Sequence, residues 1–270
     1  MNFSVQSVSK TFGEGRHARL VLKDISLRVC SGEFTAIVGR SGSGKSTLLR
    51  LLAGLERPSR GLISMNGQPV TGPGPDRGPV FQNYSLYPWL NLAQNVAFGM
   101  DLQGRFSRRE IQERTAYFLD VVGLGDRRKL LPRECSGGMQ QRVAIARALA
   151  AGPKVLLLDE PFGALDLHIR AAMQNFLYRL WERTRLTAIL ITHDLEEALL
   201  LAQQIHVLAP NPGRISHTLA TGFNRQDLDK LRFSPSFLQQ RQSLAQAMES
   251  VEPCADGSQG FRSRREDGRN

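Results

Sequence analysis

The first part of the chain alternates between strand-like and helix-like patterns. Phe3–Lys10 and Leu20–Val29 alternate apolar and polar positions, which predicts two half-buried strands. Gly32–Gly39 is a short apolar run ending in glycine, as in a buried parallel strand, and Ser46–Gly54 follows with apolar residues at helical spacing. The order of strand, glycine-rich loop and helix predicts the start of an α/β domain.

Apolar strands return after a long helical region. The pattern from about 91 to 151 is mostly helical, with breaks at 123–126 and at Pro132. The strands predicted after it, separated by helix-like sequence, are Lys154–Asp159, Thr187–Thr192 and Gln204–Leu208. We therefore expect a helical block inserted into an α/β domain.

Two segments lie outside this alternation. Pro69–Pro79 holds four prolines and three glycines in eleven residues, which predicts a loop. From about Thr221 the regular pattern is lost, and residues 221–270 form a C-terminal extension. Ser234–Met248 is compatible with a helix, and the polar, glycine-containing Cys254–Asn270 predicts disorder.

Composition places the chain among globular proteins. Of its 270 residues 41% are hydrophobic and 22% charged, and no apolar run approaches the roughly 20 residues that cross a bilayer. The N-terminus lacks the pattern of a secretory signal peptide, so we expect the protein to be made and kept in the reducing cytoplasm. The three cysteines match no disulfide or zinc spacing, which favours small buried or surface thiols.

The net charge of +10 is compatible with three kinds of partner. Basic surfaces attract nucleic acid, anionic membranes and nucleotides alike. The arginines are scattered and not interleaved with aromatic residues, which weakens the case for single-stranded nucleic acid.

The stretch GRSGSGKS, Gly39–Ser46, fits the phosphate-loop pattern. Its glycines allow backbone N–H groups to surround phosphates, and the helix beginning near Lys45 adds its positive dipole end. We expect Lys45 to reach the β- and γ-phosphates and Ser46 to bind Mg²⁺. The flanking strand and helix favour this over an ordinary Gly-Ser turn. The expected nucleotide-binding residues here are Gly39, Arg40, Ser41, Gly42, Ser43, Gly44, Lys45, Ser46 and Thr47.

An acidic strand end complements this loop. The apolar run Val155–Leu158 ends in Asp159, which would deliver a carboxylate to the metal at the carboxyl edge of the sheet. Glu160 would polarise a water molecule for attack on the γ-phosphate. Acids end many strands, but after a phosphate loop they predict a catalytic pair.

The segment Glu134–Arg142, ECSGGMQQR, precedes a predicted buried helix. Ser136, Gly137 and Gly138 would offer backbone N–H donors, a hydroxyl and a helix dipole without bulky side chains. Because the chain already has a phosphate loop, the simplest arrangement is that they bind the γ-phosphate held by another copy. The alternative is an ordinary N-cap at Ser136.

These motifs resemble the ATP-binding subunit of an ABC transporter, from about Val5 to Ile215. The resemblance implies an α/β fold: a RecA-like P-loop nucleotide-binding core with an N-terminal antiparallel β subdomain and an inserted α-helical subdomain. The ABC ATPase domain would span 1–220, with its core at about 1–87 and 152–220 and the helical subdomain at about 88–151. ATP and Mg²⁺ are the implied cofactors.

The same resemblance assigns further residues. The Walker A loop is Gly39–Ser46, the Walker B aspartate is Asp159, the signature segment is Cys135–Gln140, and the D-loop is Gly163–Asp166, with Asp166 counted among the nucleotide-binding residues.

Three single residues complete the expected site. Gln82 would link Mg²⁺ and the attacking water to the membrane partner, and His193 would be the switch histidine on the γ-phosphate. Among the five histidines His193 follows an apolar strand, which places it at the same sheet edge as Asp159. Phe12 would stack on adenine, with a place in the core as the alternative.

Two positions depart from the family pattern. Cys135 stands where the family usually has leucine, so some helix packing is expected to be lost without loss of phosphate contacts. Pro79 lacks an N–H in a strand-like stretch, which predicts an edge or pre-strand position.

One phosphate loop, one signature segment and no membrane span fit a separate subunit that dimerises head to tail. Its partner would be a second copy or a closely related ATPase subunit. The pair would dock on transmembrane permease subunits at the cytoplasmic face of the membrane, with an extracytoplasmic binding protein acting indirectly. Gln82–Trp89 is the expected docking surface, although Trp89 alone fits a subdomain core equally well.

Residues 73–98 and 210–215 resemble the nitrate, taurine, aliphatic sulfonate and cyanate importer ATPases, and 83–89 favours nitrate. The predicted function is ATP hydrolysis that powers import of a small anion. The alternative is a soluble ABC ATPase acting on nucleic acid. Such ATPases typically carry long coiled coils, a zinc hook or a second cassette, and the sequence shows none of these. A P-loop kinase would have no reason to contain a signature segment. We therefore expect no nucleic acid partner.

Overall fold

The computed structural model of the chain describes residues 2–82, 85–163 and 165–250. The expected disorder of Cys254–Asn270, and Tyr84 of the expected docking surface, lie outside these residues. The strands are β1 (Phe3–Phe12), β2 (Arg19–Val29), β3 (Phe34–Val38), β4 (Arg60–Met65), β5 (Gln68–Pro69), β6 (Arg77–Val80), β7 (Val155–Asp159), β8 (Thr187–Thr192), β9 (Gln204–Ala209) and β10 (Arg214–Ala220). The α-helices are α1 (Lys45–Ala53), α2 (Leu92–Gln103), α3 (Arg108–Val121), α4 (Gly137–Ala150), α5 (Leu167–Thr184), α6 (Leu195–Leu201), α7 (Leu228–Leu231) and α8 (Pro235–Glu249).

The larger sheet has the order β10-β9-β3-β8-β7-β6. β3 pairs in parallel with β8 and β9, and β7 pairs in parallel with β8 and β6. Helices cover both faces, which explains why β3 and β8 are buried at every position and read as continuous apolar runs. The α/β core predicted from the sequence is confirmed.

β6 is the edge strand of this sheet and carries Pro79. Proline is tolerated there because an edge strand has one side without ladder hydrogen bonds. The expected edge position is confirmed. The prediction of a loop over Pro69–Pro79 is wrong at both of its ends, because Pro69 belongs to β5 and Arg77–Val80 to β6.

A second, antiparallel sheet has the order β2-β1-β4-β5. Its apolar side chains, including Phe3, Val8 and Ile25, pack with α1 against one face of the larger sheet. The sequence pattern predicts β1 and β2 but not β4, whose first three residues are exposed.

The helical block consists of α2, α3 and α4 and has its own apolar cluster around Val96, Leu119 and Val143. Capping boxes fix two of the helix starts. Asn91 and Gln94 bond to each other's backbone at α2, and Ser107 and Glu110 do so at α3.

The C-terminal residues up to 250 pack on the core. The predicted helix in this region is α8, whose Phe237 and Leu244 are buried in the main apolar cluster with Leu199 of α6. Within the described residues, none of the helices is both long enough and apolar enough to span a bilayer.

Candidate active site

The loop between β3 and α1 is shaped by glycines at positions of close approach. Gly44 caps α1 with a φ of +93°, in the left-handed region that favours glycine. A Cβ at Gly39 would lie 2.6 Å from the carbonyl oxygen of Leu208 and 2.7 Å from Oγ of Ser43. Ser43 Oγ is buried and makes no hydrogen bond to any residue that the structure describes. The loop therefore surrounds the start of α1 with backbone donors and an unpaired hydroxyl.

Lys45 is the first residue of α1 and is buried. Its ammonium group donates to the carbonyl oxygens of Gly39 (2.9 Å) and Arg40 (3.1 Å) and lies 3.9 Å from Oε1 of Glu160. Burial lowers the pKa of Lys45, and the carboxylates of Glu160 and Asp159 oppose that shift. The positive charge thus lies between the loop and the acidic strand end.

Ser46, Asp159 and Gln82 line one cleft of about 470 Å³. Ser46 Oγ donates to Oδ1 of Asp159 over 3.4 Å. Burial raises the pKa of the Asp159 carboxyl, the Ser46 hydrogen bond opposes this, and the charge of Glu160 adds to it. The structure brings together all three residues that the sequence analysis proposed as metal ligands.

Glu160 follows β7 directly and has a φ of +44°, rare for a residue other than glycine and often found at functional sites. Its backbone N–H donates to the carbonyl oxygen of Ile191 (2.8 Å) on the adjacent strand β8. Its Oε2 lies 3.3 Å from Nδ1 of His193, which follows β8. The two parallel strands therefore place Asp159, Glu160 and His193 at the same sheet edge.

Ser136 is the N-cap of α4, and its hydroxyl accepts a hydrogen bond from the N–H of Met139 (3.3 Å). A Cβ at Gly138 would lie 2.6 Å from Cγ2 of Ile169, so glycine is required where α4 meets α5. The tip of α4 opens into a cleft of about 620 Å³, lined among others by Arg127 and Arg142. None of the residues that line this cleft belongs to the phosphate loop.

The remaining predicted residues have distinct places. Asp166 is the N-cap of α5 and accepts from the N–H groups of His168 and Ile169. Phe12 lies at the end of β1 with 40% of its surface exposed, and Nζ of Lys10 is 4.7 Å from its ring centre. The core alternative for Phe12 is therefore wrong.

The segment after Gln82 is held by residues that the sequence analysis missed. Asn95 is fully buried and exchanges hydrogen bonds with the N–H (2.8 Å) and carbonyl (3.1 Å) of Tyr87. Arg147 of α4 donates to the carbonyl oxygen of Ser85 (2.7 Å). The sequence clue to the role of Asn95 is its position on the apolar side of α2, next to Val96. A polar side chain is tolerated there when it is hydrogen-bonded.

Two expectations about side-chain environment have clear outcomes. Trp89 is 72% exposed, so the alternative that it belongs to a subdomain core is wrong. Cys135 is half-buried, and burial raises the pKa of its thiol. Cys30 is exposed, and Cys254 lies outside the described residues.

A glycine loop with a buried lysine, facing an acid pair at the end of a parallel strand, defines a P-loop ATPase. The sequence model of the family described as "ABC transporter" matches residues 22–163. The chain belongs to this family, and it is an ABC-type ATPase that binds ATP.

Relatives with curated names agree with this assignment. The nitrate import ATP-binding protein of Synechocystis sp. is 51% identical over 81% of this chain and 82% of its own length. The taurine import ATP-binding protein of Sinorhizobium fredii is 45% identical over 89% and 92%. The aliphatic sulfonates import ATP-binding protein of Bacillus licheniformis is 42% identical over 93% and 96%.

Solved structures support the fold. A dimeric structure of the ATP-binding cassette MJ0796 in a post-hydrolysis state, bound to ADP and Pi, is 31% identical and has a TM-score of 0.72. The match covers 82% of this chain and 100% of the MJ0796 chain. A further dimeric structure, of MJ0796 as a bacterial ABC transporter cassette, is 32% identical with the same TM-score. None of these comparisons supports the nucleic-acid alternative.

Proposed function

We propose that the chain is the ATP-hydrolysing subunit of an importer for a small anion and that it works as a head-to-tail pair. Its partner is a second copy or a closely related ATPase subunit. The observation that carries the pairing is the separation of the two anion-binding features within one chain. Among the described residues, the cleft at the tip of α4 shares no lining residue with the phosphate loop, which supports a site that a second chain completes.

The proposed substrate class comes from the relatives. Their names specify import of nitrate, taurine and aliphatic sulfonates, at identities from 42% to 51%. These solutes share a compact anionic oxygen group. The ATPase subunit touches the nucleotide and not the solute, so the permease and the binding protein make the choice among them.

The residues at the loop fit Mg²⁺ bound together with nucleotide. Ser46, Asp159 and Gln82 offer a hydroxyl, one carboxylate and an amide, and Ser43, in the same loop as Ser46, has an orphaned buried hydroxyl. Across the described residues no cluster of three or more His, Cys, Asp or Glu could hold a metal, which suits an ion that is bound partly by phosphates. Mg²⁺ would neutralise charge that develops on the phosphate oxygens.

Three side chains carry the proposed hydrolysis. Lys45 exchanges its bonds to loop carbonyls for bonds to the β- and γ-phosphate oxygens. Glu160 accepts a proton from the water that attacks the γ-phosphorus, and ADP leaves. His193, beside Glu160, donates a hydrogen bond to the γ-phosphate. Ser136, Gly137 and Gly138 of the partner bind the far side of the same γ-phosphate, and phosphate release removes the charge that joins the halves.

The proposed permease contact includes the exposed Trp89 and an apolar groove between α2 and α3. The groove has a volume of about 580 Å³ and is lined by side chains such as Ala97, Ile111 and Leu119. Exposed aromatic residues and apolar grooves are both typical of protein interfaces. Docking at this surface would hold the chain peripherally at the cytoplasmic face of the membrane.

Two experiments test this function. Glu160→Gln is expected to elute as a dimer of about twice 30.0 kDa with ATP, and Glu160→Gln with Ser136→Arg as a monomer. A monomeric Glu160→Gln protein at saturating ATP would contradict the pairing. Cells lacking the chain are expected to lose uptake of nitrate, taurine or a sulfonate, and unchanged uptake of all three would contradict this substrate class.

A further inference from the structure

The helix behind His193 is short and depends on the rest of the protein for its position. α6 has seven residues and begins two positions after His193, with Asp194 as its N-cap. Isolated helices of this length are unstable in water. Its placement, and with it the geometry of His193 just before it, is therefore set by tertiary contacts.

The end of α6 is held by an arginine of the C-terminal segment Thr221–Ser250. Arg225 is buried and donates to the carbonyl oxygens of Leu200 (2.8 Å) and Leu199 (3.1 Å), and also to that of Ala202. The last carbonyl groups of a helix lack partners within the helix. Arg225 provides these hydrogen-bond partners, although burial lowers the pKa of its guanidinium and disfavours its charge.

A second arginine of the same segment holds the start of α6. Arg232 Nη1 is 2.6 Å from Oε1 of Glu196 in the first turn of α6. Its Nη2 donates to Oε1 of Gln174 (2.6 Å), a buried residue of α5. One planar guanidinium thus connects α6 to α5, and α5 also contributes Arg170, which lies 3.8 Å from Asp194.

The segment that carries both arginines is itself fixed to the core. Phe237 and Leu244 of α8 are buried in the cluster that contains Leu199 and Leu200. A displacement of this segment would therefore move both ends of α6 together.

We propose that Arg225 and Arg232 are positioning residues for His193, which act by clamping α6 at both ends from the C-terminal segment. The inference rests on the proposed role of His193. It assigns a function to a region whose charged residues resemble an ordinary solvated surface in the sequence. A misplacement of about 1 Å at a reacting centre costs on the order of 100-fold in rate, so a loosened clamp has a measurable effect.

The test measures kcat and KM for ATP of the full-length chain carrying Arg232→Met, with and without His193→Ala. The matched control is Lys230→Met, because Lys230 lies two residues away and its side chain makes an exposed pair with Asp227. Thermal unfolding of each variant verifies that it is folded at the assay temperature. Arg225 is not used first because its removal leaves several buried carbonyl groups unpaired.

We expect Arg232→Met to lower kcat about tenfold, within the range that misplacement allows, with KM nearly unchanged. Arg232→Lys, which keeps the charge facing Glu196, should recover part of the loss, and Lys230→Met should have no effect. In the His193→Ala background, Arg232→Met should cause no further loss. An equal loss in both backgrounds, or none in either, overturns the inference while leaving the proposed function intact. If His193→Ala itself leaves kcat unchanged, both the role of His193 and this inference fail.

Discussion

Oε2 of Glu160 lies 3.3 Å from Nδ1 of His193, across the carboxyl ends of two adjacent parallel strands. The other carboxylate oxygen, Oε1, lies 3.9 Å from Nζ of Lys45. Glu160 therefore lies between the ammonium group of Lys45 and the imidazole of His193. This arrangement suits a base that must be close to the γ-phosphate without binding it.

Removing the base should stop turnover but not binding. Glu160→Gln keeps the shape of the side chain and loses its proton affinity, so kcat is expected to fall by about 100-fold or more. The Kd for ATP should change by less than about threefold, since Lys45 and the loop remain. Phosphate release and nucleotide titration measure the two quantities. Glu113→Gln, at an exposed pair with Arg109, is the control, and an active Glu160→Gln enzyme would contradict the assignment.

Removing the loop cation should weaken binding itself. Lys45→Ala is expected to raise the Kd for ATP by about 10- to 100-fold, because charge-assisted hydrogen bonds contribute roughly 1.5–3 kcal/mol. Calorimetric titration with ATP measures this. Lys154→Ala, at an exposed position, should bind as the unmodified chain does. Equal affinities for all three proteins would refute the phosphate-loop assignment.

Gly138 should not tolerate a methyl group. A Cβ there meets Cγ2 of Ile169 at 2.6 Å, so Gly138→Ala forces α4 and α5 apart. We expect a loss of about 1–3 kcal/mol in the free energy of unfolding and a lower ATPase rate. Adding Ile169→Ala removes the clashing group and should restore part of the rate. The explanation is wrong if the double variant is no more active than Gly138→Ala alone.

Glu197 predicts a pH dependence of stability. It is buried on α6 and accepts a hydrogen bond from the Thr192 hydroxyl (2.7 Å). Burial raises its pKa from 4.5 to about 7, the Thr192 bond opposes the shift, and the charge of Asp194 adds to it. Between these values the folded state binds more protons than the unfolded state. The contribution of Glu197 is therefore full below pH 4.5 and is lost as pH rises through 7.

The measurement for Glu197 is denaturant unfolding at pH 5 and pH 8. Relative to Glu197→Gln, which cannot ionise, the unmodified chain should lose about 2 kcal/mol of unfolding free energy between the two pH values. Parallel pH profiles for the two proteins would show that Glu197 does not titrate in this range.

The sheet edge that carries the proposed catalytic residues could be predicted from the sequence because its signals are local. A strand followed by GRSGSGKS positions Lys45. Two parallel strands that end in Asp159 and Thr192 place the next residues, Glu160 and His193, at the same edge of the sheet. The alternating pattern likewise predicts β1 and β2. These features depend on residues next to one another in the chain.

The features that escaped prediction depend on contacts between distant residues. Half of β4 is exposed, so its pattern is weak. Arg225 and Arg232 look like solvated charges, and only the folded chain shows that they meet carbonyl groups and Glu196 of α6. The 72% exposure of Trp89 is likewise a property of the folded chain that apolar spacing alone does not determine.

The central claim is that two chains share each nucleotide, and a mixture of two defective proteins tests it directly. In a Glu160→Gln background, one protein carries Lys45→Ala and the other Ser136→Arg, so neither can form a complete site with itself. Sedimentation at an ATP concentration that saturates an intact loop but not the Lys45→Ala loop is predicted to find each protein alone as a monomer and their mixture as a dimer with one intact site. The claim is contradicted if the mixture stays monomeric while the Glu160→Gln protein alone forms a dimer.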